Sequence, residues 1–322
     1  MAKVTSSAVS VILPVLNEEN YLEAAVKAVL SQDFSGAIEV VLAVGPSKDR
    51  TLEIANKLAA ADKRVKVVAN PSGRTAAGLN LAIKNSSNSI IVRVDGHAKI
   101  PNNYISIAVQ LLEETGAVNV GGVMAAEGET SFEKAVAGAM RSPLGVGAAK
   151  FHTGGSAGET DTVYLGVFKR AAIDEIGGFD EHFTRAQDWE LNFRLRQNGG
   201  KIYFDPRLIV TYRPRSSLSA LSKQYFEYGR WRRVVSRTHK GTINLRYLAP
   251  PITLVGTVIS LIGGLVNPLL YIPSGIYGLF LLLASLKIGE TLRERLYLPA
   301  ILLTMHMSWG AGFITSTRRF VR

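Results

Sequence analysis

Short apolar runs recur along the first hundred residues, and each is separated from the next by a longer stretch of mixed polarity. Most of the runs are rich in Val, Ile and Leu, as is typical of parallel strands that are buried on both faces. Strands are therefore predicted at Val9–Val15, Ile38–Val44, Val65–Ala69 and 89–94.

The stretches between these runs have the spacing of amphipathic helices. Asn20 is a candidate N-cap for the first helix and Asp49 for the second, and a turn with a short helix is predicted after Asn70. Strand and helix thus alternate, which favours an open α/β sheet with right-handed crossovers.

The pattern is less regular after residue 150. A strand is predicted over 162–169, followed by a helix that ends at Gly177. Asp188 opens a further amphipathic helix that ends at Gly199, and a last strand is predicted to close at Pro206.

The C-terminal part of the chain is much more apolar. Residues 247–286 include no charged side chain, and because one span needs about 20 apolar residues, this stretch has room for two. A third apolar stretch covers 296–316. The N-terminal apolar run is too short and too late for a signal peptide, so we expect the polar part of the chain to face the cytoplasm.

The net charge of +11 is concentrated just before the first apolar stretch. Between residues 211 and 246 the only acid is Glu227. The basic residues of this range are Arg213, Arg215, Lys223, Arg230, Arg232, Arg233, Arg237, Lys240 and Arg246. A basic cluster beside a span is attracted to anionic lipid headgroups and predicts a cytoplasmic side. Its position favours membrane lipids as the partner and argues against nucleic acid.

These patterns predict three regions. Residues 1–215 form the α/β domain, 216–247 a basic amphipathic segment on the membrane surface, and 248–322 a membrane region with two or three hydrophobic segments. The chain has no cysteine, which excludes disulfides, thiolate metal sites and thiol catalysis.

Polar clusters follow three of the predicted strands, at 17–19, 47–49 and 95–97. Ligands of open α/β sheets bind at the carboxyl ends of the strands, so these clusters are the candidate site. Neither G-x-G-x-x-G nor G-x-x-x-x-G-K-[ST] occurs, which argues against a dinucleotide-dependent dehydrogenase and against a P-loop protein.

Six segments resemble, in order, those of the family 2 glycosyltransferases, and most closely the membrane-associated exopolysaccharide enzymes of the succinoglycan type. They are VSVILPVLNEENYL, NPSGRTAAGLNLAI, IIVRVDGHA, TVYLGVFKR, IGGFDE and QDWELNFRLRQNGGKIYFDP. The resemblance implies a GT-A type open, mostly parallel sheet with flanking helices. It also implies inverting transfer of a sugar from a nucleotide-diphosphate donor to a hydroxyl acceptor. Such a reaction needs positive charge at the leaving diphosphate and a carboxylate that accepts the hydroxyl proton.

The resemblance assigns the metal to the segment IIVRVDGHA. Asp95 matches the first acid of the family's Asp-x-Asp motif, and His97 replaces the second. An imidazole binds Mn²⁺ well and Mg²⁺ poorly, so we expect a divalent cation with Mn²⁺ favoured. Alternatively, Asp95 caps a turn and His97 points to solvent.

The same resemblance makes Asp188 the candidate catalytic base, with Gln187 in the place of the family's Glu. Alternatively, Asp188 is a plain helix cap. Trp189 is either a platform for an acceptor sugar or a core residue. Arg230 and Trp231 resemble part of an acceptor-side motif of processive members, although a membrane-surface role fits them equally well.

For the donor, the resemblance implies contacts from Pro14, Val15, Asn17, Glu18, Asp49, Arg74, Asn80 and Asp95. Arg74 would pair with phosphate oxygens, and Asp49 fits a helix cap as well as a ligand. The acid that binds uracil in the family is absent, because Val44 and Gly45 stand there. A UDP-sugar is still the expected donor, with the base held by backbone groups.

The sequence thus predicts an inverting glycosyltransferase on the cytoplasmic face of the cell membrane, which adds a sugar to a lipid-linked or polysaccharide acceptor in exopolysaccharide or cell-envelope synthesis. Two alternatives stay open. A nucleotidyltransferase would normally carry a Gly-rich loop after its first strand, and LPVLNEEN has none. A catalytically degenerate membrane scaffold would explain the altered metal and base motifs.

Overall fold

The computed structural model describes residues 8–321. These residues form two compact units, one of residues 8–125 and 154–212 and the other of residues 126–153 and 213–321. The predicted boundary near residue 215 lies close to the third point at which the chain passes from one unit to the other, between residues 212 and 213. Nothing in the apolar pattern indicated that 126–153 groups with the C-terminal helices.

The first unit is built on one mixed, mostly parallel sheet. The strands are β1 (Val9–Val15), β2 (Ile38–Val44), β3 (Val65–Ala69), β4 (Ile90–Arg93), β5 (Asn119–Ala126), β6 (Gly158–Glu159), β7 (Tyr164–Lys169) and β8 (Ile202–Tyr212). Their order across the sheet is β3-β2-β1-β4-β7-β5-β8-β6. The first four strands pair in parallel, and β7 pairs antiparallel with both β4 and β5. The predicted fold class is confirmed.

Helices cover both faces of this sheet. The α-helices of residues 8–321 are α1 (Leu22–Leu30), α2 (Thr51–Ala61), α3 (Thr75–Lys84), α4 (Tyr104–Thr115), α5 (Ser131–Arg141), α6 (Pro143–Val146), α7 (Lys150–Thr153), α8 (Arg170–Glu175), α9 (Gln187–Gln197), α10 (Leu218–Thr238), α11 (Leu245–Gly264), α12 (Ile272–Ile288) and α13 (Leu292–Thr315). Alternate residues of β1 enter two different cores: Leu13 packs with α1 and α4, and Ile12 packs with α3 and α9. The all-apolar sequence of β1 follows from this burial on both faces.

Three local predictions were wrong. The strand predicted to close at Pro206 runs on to Tyr212. A proline is tolerated there because the local geometry is irregular: the backbone N–H of Arg207 donates to the Asp205 carboxylate at 2.9 Å. The N-caps predicted at Asn20 and Asp49 are each one residue early: the N-cap positions are Tyr21 for α1 and Arg50 for α2, and neither side chain forms a capping hydrogen bond.

The second unit contains three helices that are long and apolar enough to cross a membrane, by length and composition. They are Leu245–Gly264, Pro268–Ile288 and Leu292–Thr315, and whether each of them crosses a membrane stays a prediction. The last of them packs closely against α10, where a Cβ at Gly312 would lie 1.9 Å from the carbonyl oxygen of Phe226. Glycine is needed at this position because the two backbones touch.

Candidate active site

The loops after β1 and β2 are tied together by hydrogen bonds. Asn17 adopts a left-handed conformation with φ 57°, and its backbone N–H donates to Ser47 Oγ at 3.1 Å. In return, the backbone N–H of Lys48 donates to Asn17 Oδ1 at 2.8 Å. Two of the predicted polar clusters therefore meet at the carboxyl edge of the sheet.

Asp49 takes part in the same loop contacts. Its carboxylate accepts the backbone N–H of Thr51 at 3.0 Å and that of Glu19 at 3.2 Å. Burial opposes ionisation of Asp49, but these hydrogen bonds and that of the Thr51 hydroxyl outweigh it and lower the pKa of the carboxyl. Asp49 thus holds the start of α2 beside the first loop, and its contact with a nucleotide stays a prediction.

Arg93, the last residue of β4, lies at the centre of the site. Its side chain is only 4% exposed. Nη2 donates to Asp95 Oδ1 at 3.0 Å and Nε donates to the same oxygen at 3.2 Å. Nη1 donates to Asp188 Oδ1. One buried guanidinium therefore holds the predicted donor-side acid and the predicted base together.

Arg93 was not among the residues predicted from the sequence. The signal was present, because Arg93 is the one charge within the apolar run IIVRV. A buried charge is costly unless it is paired, so an arginine at this position indicates acidic partners nearby.

Asp188 lies in the first turn of α9. The helix begins abruptly because Ala186, at the N-cap position, has φ 60°, a conformation that residues with a Cβ rarely adopt. The positive end of the helix favours a carboxylate at this point, and the side chain of Asp188 keeps 31% of its surface exposed. Trp189 stacks on Phe193 with ring centroids 5.5 Å apart. Asp188 is thus both anchored by Arg93 and open to a ligand.

His97 lies in the turn after β4, where it joins the first loop. Its Nδ1 lies 2.7 Å from Glu18 Oε1, and its side chain is 40% exposed. Gly96 makes the approach of the two loops possible, since a Cβ there would lie 3.0 Å from side-chain atoms of both Glu18 and Val15. His97 and Glu18 are therefore a pair within the site.

No group of three or more carboxylate, imidazole or thiolate ligands converges within residues 8–321. The site does provide one carboxylate and one imidazole, from Asp95 and His97, with Glu18 beside the imidazole. Cations that act on phosphates often take one or two ligands from the protein and the remainder from phosphate oxygens and water. The donor set fits a cation bound in that way.

Asn80 lies on α3, and Arg74 lies at the N-cap position of the same helix. Both ends of the Asn80 amide bind the loop after α8: Nδ2 donates to the Phe179 carbonyl at 2.9 Å and to Glu181 Oε1 at 3.0 Å, and Oδ1 accepts the Phe179 N–H at 2.9 Å. Arg74 is exposed at the N-cap position. The Asn80 side chain thus joins α3 to the loop after α8. The contacts of Asn80, Arg74 and Pro14 with the donor stay predictions.

Arg230 and Trp231 belong to the second unit. Arg230 pairs with Glu227 at 2.7 Å, and its guanidinium lies over the Phe226 ring, 4.7 Å from the centroid. Trp231 is 5% exposed and packs against Phe320, with centroids 5.9 Å apart. Stacking of a sugar on Trp231 would require this contact to open, so the acceptor role of both residues stays a prediction.

The mixed, mostly parallel sheet, with charged groups at the carboxyl edge of its parallel strands, has the GT-A type of fold. Residues 10–177 match Glycosyl transferase family 2, and the chain belongs to that family. It is therefore a nucleotide-sugar-dependent glycosyltransferase, as the sequence predicted.

Several known proteins are similar along almost the whole chain. The succinoglycan biosynthesis protein ExoA of Rhizobium meliloti (strain 1021) is 30% identical over 97% of this chain and 95% of its own length. A dolichyl N-acetyl-alpha-D-glucosaminyl phosphate 3-beta-D-2,3-diacetamido-2,3-dideoxy-beta-D-glucuronosyltransferase of Methanococcus voltae is 26% identical over 95% of each chain.

Among solved structures, the mannosyltransferase PcManGT from Pyrobaculum calidifontis, in complex with GDP-Man and Mn²⁺, has the same fold. The similarity covers 97% of this chain and 88% of that one, with a TM-score of 0.62 and 18% identity.

Proposed function

We propose that this glycosyltransferase inverts the anomeric centre and transfers the sugar of a nucleotide-diphosphate donor to a lipid-linked glycan during exopolysaccharide or cell-envelope synthesis. The observation that carries the proposal is the pairing of Asp95 and Asp188 through Arg93. An acid on the donor side and a base on the acceptor side must lie next to each other for a direct displacement. The relatives support the pathway, because one acts in succinoglycan biosynthesis and one uses a dolichyl-linked acceptor by name.

In the proposed reaction Asp188 takes the proton of the acceptor hydroxyl. The hydroxyl oxygen forms a bond to the anomeric carbon while the bond from that carbon to the diphosphate breaks, so the nucleoside diphosphate leaves with the electron pair. Single displacement from the opposite side inverts the configuration. Arg93 holds the Asp188 carboxylate in one orientation through Nη1, and positioning of this kind is a large part of enzymatic rate enhancement.

A divalent cation is the proposed cofactor, with Mn²⁺ preferred over Mg²⁺. Asp95 and His97 would hold it, and when bound it would stabilise negative charge on the leaving diphosphate. The contact of His97 Nδ1 with Glu18 supports this role. Histidine ligands usually donate their second N–H to a carboxylate, which fixes the ring and leaves Nε2 as the coordinating atom. The presence of Mn²⁺ in PcManGT lends further support.

The proposed donor is a UDP-sugar, held by the loops after β1 and β2 and by Arg74. Where the family has an acid for the base, this chain has Gly45, whose N–H donates to the Val15 carbonyl at 2.8 Å. Because this N–H is already paired, the other backbone groups of the segment are the proposed contacts to the base. A panel of UDP-, GDP- and dTDP-sugars tests the assignment directly.

The enzyme is proposed to lie in the cell membrane with its first unit on the cytoplasmic side. The three apolar helices support a membrane location. The basic segment 216–247 supports the cytoplasmic orientation, because positive residues beside spans are retained on that side. Trp189, Arg230 and Trp231 are the proposed acceptor contacts.

The experiment uses purified protein in detergent with Mn²⁺ and measures release of nucleoside diphosphate across the donor panel, with and without a membrane lipid extract as acceptor source. Donor-specific release that the extract stimulates supports the proposal. Donor binding without release under all conditions would instead support the scaffold alternative. Release of pyrophosphate from a nucleoside triphosphate would support the nucleotidyltransferase.

A further inference from the structure

A groove lies in the second unit between α10, the first half of α11 and the end of α13. Its volume is about 630 Å³, which is typical of small-molecule sites. Its apolar wall is formed by Leu248, Pro251, Ile252, Val255, Phe313 and Ile314. Ile252, Val255 and Ile314 are also exposed on the surface of the unit, so an apolar chain can reach this wall from outside.

The same groove is lined by two arginines of α10, Arg233 and Arg237. Within the part of the chain that the structure describes, neither forms an ion pair with an acid. Arg237 Nη1 donates to the Ser316 carbonyl at 2.8 Å, and the guanidinium of Arg233 lies over the Phe313 ring, 5.0 Å from its centroid. The groove therefore combines an apolar wall with uncompensated positive charge.

Burial and neighbouring cations both disfavour the charge of Arg237. Burial, followed by the charges of Arg233 and Arg318, lowers the pKa of the Arg237 guanidinium. Like charges four residues apart also destabilise a helix. An anionic ligand with more than one negative charge would remove this repulsion.

Gly256 keeps part of the groove open. A Cβ at this position would have no other heavy atom within 4 Å. A larger side chain here would therefore fill the groove without displacing the surrounding structure. Gly278 of α12 is equally unobstructed and does not line the groove, so it provides a matched control.

We propose that this groove binds the diphosphate and the adjacent isoprenoid units of a polyprenyl-diphosphate-linked acceptor, an inference that rests on the proposed function. Arg233 and Arg237 bind the diphosphate, and the positive charge of Arg318 adds to the attraction. The isoprenoid chain lies along α11. A diphosphate matches three neighbouring cations better than the single phosphate of a common phospholipid does.

The test measures binding of farnesyl diphosphate to the full-length protein in detergent. Farnesol lacks the charge, inorganic pyrophosphate lacks the chain, and phosphatidylglycerol represents a membrane lipid. We expect farnesyl diphosphate to bind at least about tenfold more tightly than any of the three, because both parts of the groove contribute. Phosphatidylglycerol that binds as tightly would overturn the proposal and identify the groove as a general lipid contact.

Two variants remove the two parts of the site separately. The double variant Arg233→Gln with Arg237→Gln, and separately Gly256→Leu, should each weaken farnesyl diphosphate binding by about tenfold or more. Lys223→Gln on α10 and Gly278→Leu on α12 are the controls and should retain the wild-type affinity. Unchanged binding in both groove variants would contradict the proposal.

Hydrolysis of the nucleotide sugar by the wild-type protein, measured in parallel, separates this proposal from the proposed function. If farnesyl diphosphate binds through the groove but no donor is hydrolysed, the transferase assignment fails and the lipid site stands. If a donor is hydrolysed but farnesyl diphosphate does not bind, the groove assignment fails alone.

Discussion

Replacement of Arg93 by methionine is the most informative single change in the active site. Methionine keeps much of the length of the side chain but removes the charge and all the donors. The change would leave Asp95 and Asp188 without the cation that Arg93 provides in the structure. We expect the rate of transfer to fall because the base loses its orientation and the two negative charges repel.

The structure sets the size of the effect. Removal of one partner from a buried ion pair costs about 3–5 kcal/mol. Asp95 and Asp188 keep 20% and 31% of their side-chain surface exposed, so water compensates part of the loss and the lower end applies. About 3 kcal/mol is therefore the expected loss of folding stability, and the lost orientation of the base should separately lower kcat by roughly 10²-fold.

The assay measures kcat, KM and thermal unfolding of each variant with the donor that the panel identifies. Arg93→Lys retains the charge but cannot donate in a fork to two carboxylates, so it should recover stability more than kcat. Arg64→Met is the control. It breaks an Arg–Asp pair in which Arg64 and Asp62 are 47% and 28% exposed, and such surface pairs contribute only about 0–1 kcal/mol. If Arg93→Met folds and keeps kcat within about threefold of the wild type, Arg93 does not position the base.

Three further predictions follow from neighbouring contacts. His97→Ala should raise the Mn²⁺ concentration needed for half-maximal activity by about 10–100-fold. Glu18→Gln should raise it by a smaller factor, because Glu18 acts on the metal only through the imidazole of His97. An unchanged Mn²⁺ titration would exclude both as metal-site residues. Burial of Glu39 opposes its ionisation, but hydrogen bonds from Lys66, Ser10 and Ser87 outweigh this and lower its pKa to about 2. Thermal melts should therefore show the full stability loss of Glu39→Gln above the ordinary pKa of 4.5. The loss should shrink as the pH falls toward 2. Asn80→Ala removes three hydrogen bonds to the loop after α8 and should lower the free energy of unfolding by about 1–3 kcal/mol; an unchanged melting temperature would show that this latch is not needed.

The sequence predicted the elements whose pattern is local. The strands at Val9–Val15, Ile38–Val44 and Val65–Ala69 have the bounds read from their apolar runs, because burial on both faces leaves a continuous signal. The polar clusters after β1, β2 and β4 were placed at one edge by the geometry of parallel strands alone.

What the sequence could not predict depends on contacts between distant segments. Arg93 meets Asp188 only because the start of α9 packs beside the end of β4, 95 positions away along the chain. Asn80 binds Phe179 across a separation of 99. The grouping of 126–153 with the C-terminal helices is of the same kind, since its helices are short and carry no membrane-like pattern.

The central claim is that Asp188 is the base of a nucleotide-sugar-dependent transfer, and the most direct measurement compares Asp188→Asn with wild type. Turnover and donor affinity are measured on the same preparations, with Asp174→Asn at an exposed position of α8 as the control. We expect turnover to fall by about 10²–10⁴-fold while donor affinity is retained. Full turnover in Asp188→Asn would show that Asp188 is not the base.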